Sequence, residues 1–302
     1  MNKDFLCLAD WRADELEQIF ELARDLKTRQ KRGEPHRLLD GKTLAMVFEK
    51  SSTRTRVSFE AGMFQLGGHA LFLHSGTTQL GRGEPVKDTA RVMARYCDGI
   101  MIRTFSHAAV EELAHWSDVP VINGLTDLCH PCQVMADLFT VAERKAAFRE
   151  LTYCWIGDGN NMANSWINAA TVFGFRLQIA TPEGYEPDAG VRERAAKAGA
   201  RIFYTNDPLA AAQGADVLNT DVWASMGQEA EQNERERAFA GFQLNSEVVR
   251  AAAPDCLVLH CLPAHRGEEI TEEVIEGPHS AVFDEAENRL HVQKAIMAAL
   301  LG

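Results

Sequence analysis

The segment Leu44-Ala-Met-Val-Phe-Glu-Lys-Ser-Ser-Thr-Arg-Thr-Arg-Val-Ser-Phe-Glu60 joins a buried strand to the start of a helix. Its first five residues form a continuous apolar run, as in a strand of a covered parallel sheet. Apolar residues then recur with helical spacing, namely Val57, Phe59, Met63, Phe64 and Leu66. Hydroxyls and two arginines occupy the junction, beside the free N–H groups and positive dipole end of the first helical turn. The junction therefore favours a bound anion, although a serine or threonine N-cap beside solvated arginines is the alternative.

The composition is that of a soluble globular protein, with 46% hydrophobic and 25% charged residues. A chain of 302 residues exceeds the usual size of one core, so two domains of roughly 130 to 150 residues are expected. No apolar run approaches the roughly 18 residues of a membrane span, and an early amphipathic helix leaves no room for a signal peptide. The net charge of −12 disfavours nucleic acid as a partner. Seven cysteines in apolar contexts favour a reducing compartment, so we expect a cytoplasmic protein.

Strand and helix patterns alternate along most of the chain. The strands of the first half are predicted at 44–48, 69–73, 100–103 and 119–122. Those of the second half are predicted at 151–156, 176–180, 201–204, 216–219 and 257–260. This alternation predicts an α/β fold of two domains, each a parallel sheet flanked by helices, with the active-site cleft between them. We expect domains at 1–140 and 141–284, with the apolar helix 285–302 packing back on the first.

Polar sequences follow five of the predicted strands, at the carboxyl ends where doubly wound folds bind ligands. These sequences are 52–56, 103–104, 157–161, 221–227 and 260–266. A sixth, His130-Pro-Cys-Gln133, opens a helix. Their shared placement predicts one polar site rather than scattered surface residues.

Two of these sequences partly match cofactor or metal motifs. Gly157-Asp-Gly-Asn-Asn-Met162 has two glycines of the dinucleotide fingerprint, but methionine stands where a third glycine should allow close helix packing. Cys129-His-Pro-Cys132 has the spacing of a redox or zinc site, yet no second such pair exists in the sequence. We therefore interpret the two cysteines as small packed residues and expect no metal.

Asp221 and Cys261 each follow a predicted strand. A carboxylate in this position can hold the amine of a cationic substrate, and the alternative is an aspartate that caps the next turn. The Cys261 thiol suits a site facing a ligand, and an activated nucleophilic cysteine is an open alternative that requires a nearby base.

Together the motifs resemble those of the aspartate/ornithine carbamoyltransferase family. Phe48-Glu-Lys-Ser-Ser-Thr-Arg-Thr-Arg56 looks like its carbamoyl phosphate signature, and His-Pro-Cys-Gln like the companion motif. Asp158-Gly-Asn-Asn161, Asp221-Val-Trp-Ala-Ser-Met-Gly227 and His260-Cys-Leu-Pro263 look like the ornithine branch. The resemblance extends from Leu8 to near the C-terminus.

The resemblance implies a role for each matched residue. Carbamoyl phosphate would be bound by Ser52, Thr53, Arg54, Thr55, Gln79, Arg103, His130, Gln133, Cys261, Leu262 and Arg289. L-Ornithine would be held by Asn161, Asp221, Ser225 and Met226. Among these, Arg54, Arg103, His130 and Cys261 would be catalytic. One departure is the loop Gly81-Arg-Gly-Glu-Pro-Val-Lys87, where either Arg82 or Lys87 would supply the cation expected there.

The implied reaction is carbamoyl transfer from carbamoyl phosphate to the δ-amine of L-ornithine, giving L-citrulline and phosphate in arginine metabolism. No metal or organic cofactor is expected, because carbamoyl phosphate is already activated. The family implies a homotrimer or a multiple of trimers, without nucleic acid or membrane partners. Transfer to another amine, such as putrescine or an acylated ornithine, is the nearest alternative. A dinucleotide-dependent dehydrogenase and a non-catalytic anion-binding protein are alternatives from other classes.

Overall fold

The computed structural model describes residues 3–74, 76, 83–224 and 232–302. The chain divides into unit 1, Met1–Met135 with Glu287–Gly302, and unit 2, Ala136–Ala286. It passes between the units within two helices, α5 (Pro131–Arg144) and α12 (Val282–Leu301). Unit 1 is therefore assembled from two separate stretches of sequence.

Unit 1 contains a parallel four-stranded sheet with the strand order β2-β1-β3-β4. The strands are β1 (Thr43–Phe48), β2 (His69–His74), β3 (Gly99–Arg103) and β4 (Val121–Leu125). The helices wholly within unit 1 are α1 (Ala13–Lys31), α2 (Thr53–Gln65), α3 (Val86–Met93) and α4 (His107–Trp116). Strands β1 and β3 are buried almost throughout, which explains their unbroken apolar sequences.

The register of β1 and β3 brings two of the polar motifs together. Phe48, the last residue of β1, lies opposite Arg103, the last residue of β3. The backbone N–H of Glu49 also donates to the carbonyl of Arg103 at 2.9 Å. The sequence after β1, which carries the serine, threonines and arginines, therefore starts beside Arg103 at the carboxyl edge of the sheet.

Unit 2 contains a parallel five-stranded sheet with the strand order β7-β6-β5-β8-β9. The strands are β5 (Thr152–Ile156), β6 (Arg176–Ala180), β7 (Ile202–Thr205), β8 (Val217–Thr220) and β9 (Leu257–His260). The helices are α6 (Asn161–Phe173), α7 (Ala189–Lys197), α8 (Pro208–Ala212), α9 (Gln232–Ala238), α10 (Ser246–Ala251) and α11 (Glu272–Ile275). Thr220 and His260 lie opposite each other in the register, so Asp221 and Cys261 leave adjacent strands side by side.

The structure confirms the predicted fold class, because both units are parallel sheets flanked by helices. The predicted strands all occur, and the largest shift is in β4, which begins at Val121 and ends at Leu125. The short helices α9, α10 and α11 were not predicted, because runs of seven, six and four residues give little helical periodicity. Among the described residues, no helix is both long and apolar enough to cross a membrane.

Candidate active site

The start of α2 is the first part of the site in unit 1. Ser52 is the N-cap, with extended backbone, and its Oγ accepts a hydrogen bond from the backbone N–H of Thr55 at 3.2 Å. The cap leaves the helix N-terminus at the carboxyl edge of the sheet, where its dipole attracts an anion. Thr53 is exposed and Arg54 is half-buried at this end of the helix. The simple capping interpretation is thus correct for Ser52 but does not account for the residues gathered around it.

Those residues converge on the Thr55 hydroxyl. Arg289 donates from Nη2 to Thr55 Oγ1 at 2.9 Å, and Arg103 donates from Nη1 to the same oxygen at 3.4 Å. The second guanidinium nitrogen of Arg289, Nη1, donates to Gln133 Oε1. The four side chains are nearly or fully buried, although they come from α2, β3, α5 and α12. Sequence reasoning named all four, and the structure brings them into one hydrogen-bonded cluster.

His130 lies within the positive field of this cluster. Burial lowers the pKa of His130 well below its ordinary value, and the charges of Arg289, Arg103 and Arg54 lower it further. The imidazole is therefore neutral at physiological pH, with one N–H donor and one acceptor nitrogen. A neutral imidazole can donate to a carbonyl oxygen without carrying a charge. The field that keeps it neutral is the field that would attract a phosphate group.

The two other cations of the opening segment have structural partners. Lys50 is buried, forms an ion pair with Asp127, and places its Nζ 4.3 Å from the centre of the Phe105 ring. Arg56 donates to Glu60 at 3.0 Å and lies over the Phe72 ring, with 3.7 Å from Cζ to the ring centroid. Arg56 therefore braces the surface of α2 through Glu60 and the Phe72 ring.

In unit 2, Asp221 accepts hydrogen bonds from three directions. Its Oδ1 accepts from the Cys261 thiol at 3.1 Å and from the backbone N–H of Val222 at 2.8 Å. Its Oδ2 accepts from the side-chain amide of Asn160 at 3.1 Å. Asn160 is also the N-cap of α6, since its Oδ1 accepts from the backbone N–H of Met162 at 2.9 Å. The carboxyl group is thus fixed in direction by three uncharged donors, in a position that suits contact with a cationic ligand.

Cys261 is a protonated thiol in this arrangement. Burial raises its pKa well above the ordinary value, and the nearby carboxylates of Asp221, Glu285 and Asp137 raise it further. The thiol donates its proton to Asp221, so a thiolate would face that carboxylate at hydrogen-bonding distance. These contacts oppose the alternative of an activated nucleophilic cysteine.

The two glycines of the partial dinucleotide fingerprint have local explanations. Gly157 has a φ of +138°, which L side chains rarely adopt. A Cβ on Gly159 would lie 2.3 Å from the backbone carbon of Glu186 and 2.3 Å from the nitrogen of Pro187. Met162, which replaces the third glycine, is buried in α6. The spacing therefore reflects a turn and a close backbone approach rather than a nucleotide cradle.

Cys129 and Cys132 are packed residues of unit 1. The Cys129 thiol donates to the carbonyl of Leu6 at 3.6 Å, and the Cys132 thiol donates to the carbonyl of Asn123 at 3.4 Å. Burial raises the pKa of Cys132 to about 12, so the thiol stays protonated at neutral pH. A protonated thiol is a weak donor and a poor metal ligand, which fits the structural interpretation.

Two further contacts in unit 2 were not found from the sequence. Arg235 forms a buried ion pair with Asp158, and its Nε donates to the carbonyl of Trp223 at 2.6 Å. His260 Nε2 contacts Glu269 Oε1 at 2.9 Å, while its Nδ1 accepts from the backbone N–H of Leu262 at 2.9 Å. Neither pair shows a spacing signature, because each joins residues from different elements.

Asn161 and Leu262, two further predicted residues, lie at the carboxyl edge of the unit 2 sheet, after β5 and β9 respectively. Asn161 is the half-buried first residue of α6, and Leu262 is half-buried with a φ of +56°. Gln79, Ser225 and Met226 lie outside the described residues, as does Arg82 of the loop before α3. The other candidate cation of that loop, Lys87, is exposed in the first turn of α3.

Comparison with known proteins covers the whole chain. The family described as aspartate/ornithine carbamoyltransferase matches with its carbamoyl-P binding domain at residues 3–143 and its Asp/Orn binding domain at residues 149–300. An ornithine carbamoyltransferase from Syntrophotalea carbinolica is 72% identical over 302 residues, 100% of both chains.

Solved structures agree with this match. Ornithine carbamoyltransferase from Pyrococcus furiosus has a TM-score of 0.95 at 53% identity, covering 99% of this chain and 97% of that one. The Burkholderia thailandensis enzyme has a TM-score of 0.92 at 49% identity, covering 99% of both chains. With these matches, an arginine-rich cluster in one unit and a fixed carboxylate in the other, the chain belongs to the aspartate/ornithine carbamoyltransferase family.

Proposed function

We propose that the chain transfers the carbamoyl group of carbamoyl phosphate to the δ-amine of L-ornithine, which gives L-citrulline and phosphate. The observation that carries the proposal is the convergence of Arg103, Arg289 and Gln133 on Thr55 and the start of α2. Burial and the charges of three guanidiniums lower the pKa of His130, so its imidazole is neutral. An anion that also offers a carbonyl oxygen matches both features of this cluster.

On this proposal, unit 1 binds carbamoyl phosphate. Ser52, Thr53 and Thr55 meet the phosphate oxygens at the helix N-terminus, and Arg54, Arg103 and Arg289 neutralise its charge. His130 donates to the carbamoyl oxygen, and Gln133 contacts the carbamoyl group. As the tetrahedral intermediate forms, negative charge grows on that oxygen, and fixed donors of this kind are each worth about 3 to 4 kcal/mol. We also assign Gln79 to carbamoyl phosphate.

Unit 2 binds the amine substrate on this proposal. Asp221 holds its cationic group, and Asn161, Ser225 and Met226 complete the ornithine contacts. Cys261 and Leu262 contact the carbamoyl nitrogen and the attacking amine. The amine must lose a proton before it attacks, since a lysine-like amine has a pKa of about 10.4 in water. The Cys261 thiol already carries a proton, so Asp221 or the leaving phosphate is the better acceptor.

The direct test is formation of citrulline by the purified protein from carbamoyl phosphate and L-ornithine, detected colorimetrically. Putrescine and Nα-acetylornithine replace ornithine in parallel assays, because the nearest alternative is a transcarbamylase for another amine. We expect ornithine to be the preferred acceptor and Arg54→Ala to lower kcat/KM at least about a hundredfold. Preference for another amine would overturn the substrate assignment. No ureido product from any amine would leave only a non-catalytic anion-binding protein.

We also propose a homotrimer in the cytoplasm, acting in arginine synthesis. Most of the exposed large apolar side chains in the described part of the chain belong to unit 1, and exposed apolar surface is typical of subunit contacts. They are Leu38, Val57, Phe64, Leu71, Val92, Tyr96, Phe105 and Trp116. The seven cysteines are free, which suits a reducing compartment. Light scattering on the purified protein should give about 100 kDa, three times the 33.5 kDa chain. A monomer at micromolar concentration would rule out the trimer.

A further inference from the structure

A buried lysine of α12, Lys294, contacts the C-terminal end of α2, away from the proposed phosphate site at the N-terminal end of that helix. Lys294, on α12, has no exposed surface, and its Nζ contacts two amide oxygens and one imidazole nitrogen. The contacts are Gln30 Oε1 at 2.5 Å, Gln65 Oε1 at 3.0 Å and His36 Nε2 at 3.1 Å. These groups come from α1, from the end of α2 and from the segment between α1 and β1. One side chain therefore ties α12 to three other parts of unit 1.

The hydrogen-bond directions follow from the partners. His36 Nδ1 lies 2.9 Å from the carbonyl of Glu34, and a carbonyl only accepts, so Nδ1 carries the proton. Nε2 is then the acceptor, and Lys294 donates to all three partners. None of the three is an anion, so nothing offsets the desolvation that lowers the pKa of Lys294 to about 8. A buried methionine or leucine would avoid this cost, which suggests that the lysine is retained for its directed bonds.

The packing beside Lys294 is also tight. A Cβ on Gly62, in α2, would lie 2.9 Å from Met297 Cε and 3.2 Å from Lys294 Cγ. Glycine therefore favours the close approach of α12 to α2, since an added Cβ would displace the end of the Met297 side chain and the stem of Lys294. The close contact at Gly62 and the hydrogen bond from Lys294 to Gln65 belong to one crossing of α2 and α12, because Gln65 lies three residues beyond Gly62.

The two helices meet again at the proposed phosphate site, where Arg289 of α12 donates to Thr55 of α2. Thr55 and Gln65 are about 15 Å apart along α2, and Arg289 and Lys294 are about 7.5 Å apart along α12. The contacts at Arg289 and at Lys294 therefore join the same two helices at two separate places. Two separated contacts restrict both rolling and sliding of one helix on the other, so the Lys294 contacts help to fix where Arg289 meets Thr55.

We propose that Lys294 is a positioning residue for carbamoyl phosphate binding: its bonds to Gln65, Gln30 and His36 hold α12 so that Arg289 reaches the phosphate. The inference rests on the proposed function, which assigns Arg289 to that anion. Lys294 itself does not contact the proposed ligand. Its role is to set the geometry of a guanidinium five residues earlier in the same helix.

The test compares Lys294→Met and Gly62→Ala with two controls. Lys31→Met removes an exposed lysine that also contacts α12, through Glu287 at 2.5 Å. Val274→Ala removes buried volume from the core of unit 2 and so lowers stability; that core includes no residue of α2 and reaches α12 only at Val282, the first residue of α12. Each variant is measured for the dissociation constant of inorganic phosphate by calorimetry and for the KM of both substrates.

We expect Lys294→Met and Gly62→Ala to weaken phosphate binding and raise the KM of carbamoyl phosphate about tenfold, because small misplacements of a binding group are costly. The KM of ornithine should stay within twofold, and Lys294→Arg, which keeps donors, should lose less than Lys294→Met. Both controls should leave the phosphate dissociation constant unchanged. If Lys294→Met fails to fold, the phosphate affinity of Gly62→Ala, which alters the same crossing of α2 and α12, decides whether the inference holds.

A folded Lys294→Met with wild-type phosphate affinity would overturn the inference and reduce Lys294 to a stabilising residue. Equal loss for Val274→Ala would overturn it as well, since the effect would then follow stability alone. If the wild-type protein makes citrulline but neither Lys294→Met nor Gly62→Ala weakens phosphate binding, the proposed function stands and only the positioning role is rejected. Failure of the wild-type protein to bind phosphate at all would reject the proposed site together with the positioning role.

Discussion

Arg289→Met is the most informative substitution in the proposed phosphate site. Methionine retains most of the apolar stem but removes the charge and every N–H donor. The side chain is 3% exposed and connects Thr55 to Gln133, so the change acts on a buried cluster rather than on a solvated surface. The expected consequences separate into an effect on binding and an effect on stability.

Binding should weaken substantially. A hydrogen bond to a charged group contributes about 1.5 to 3 kcal/mol, and each 1.4 kcal/mol corresponds to about tenfold in affinity. The dissociation constant of phosphate should therefore rise roughly 10- to 150-fold. Stability should fall by at most about 3 kcal/mol, because Gln133 loses one partner while the cost of burying a charge disappears. The pKa of His130 should rise, since Arg289 is the largest contributor to its depression after burial.

Calorimetric titration with inorganic phosphate measures the binding effect, and thermal unfolding measures the stability effect. Arg266→Met is the matched control, because Arg266 is a partly exposed arginine of unit 2 paired with Glu272 and Glu276. It should change phosphate affinity less than about twofold, as expected for an exposed ion pair. A folded Arg289→Met that binds phosphate within threefold of the wild type would refute the assignment of Arg289.

Three other outcomes follow from the contacts described above. Asp221→Asn should raise the KM of ornithine about a hundredfold by removing a charged partner, with phosphate affinity unchanged; an equal loss for phosphate would contradict its role. Iodoacetamide should modify Cys261 slowly at pH 7.5, and Asp221→Asn should speed the reaction, as measured by peptide mass spectrometry; a fast wild-type reaction would show that the thiol is not held protonated. Lys294 has a folded pKa of about 8, below that of a free lysine, so the unfolded chain binds the extra proton between pH 8 and about 10.5. Urea denaturation should therefore show wild-type stability rising relative to Lys294→Met across that range, and a constant difference would contradict the lowered pKa.

The sequence was sufficient for the fold and for the residue types of the site. Continuous apolar runs such as Leu44 to Phe48 mark strands buried on both faces, and parallel strands place their following residues at one edge. This geometry explains why Arg103 was expected beside the start of α2. The expectation needed no knowledge of side-chain contacts, only the order of strands and helices.

Contacts between distant segments could not be predicted in this way. Arg289 and Gln133 are 156 residues apart, and Lys294 and Gln30 are 264 apart, so no local pattern joins them. The ion pair between Asp158 and Arg235 likewise joins a turn after β5 to a helix that follows a different strand. Gly159 matches a position of the nucleotide-binding motif, but a glycine is required there because the backbone of Glu186 and Pro187 leaves no room for a Cβ. In each case tertiary packing decides the role of the residue.

The division of unit 1 into two stretches has a consequence for biosynthesis. Met135 and Glu287 are separated by the whole of unit 2, about 150 residues, which a ribosome adds in roughly 8 to 30 s. During that interval β1 to β4 are already synthesised, but α12, with Arg289 and Lys294, does not yet exist. The nascent protein therefore cannot assemble its phosphate cluster until unit 2 has left the peptidyl-transferase centre. Anion binding is acquired at the end of translation, after most of the polypeptide has had time to fold.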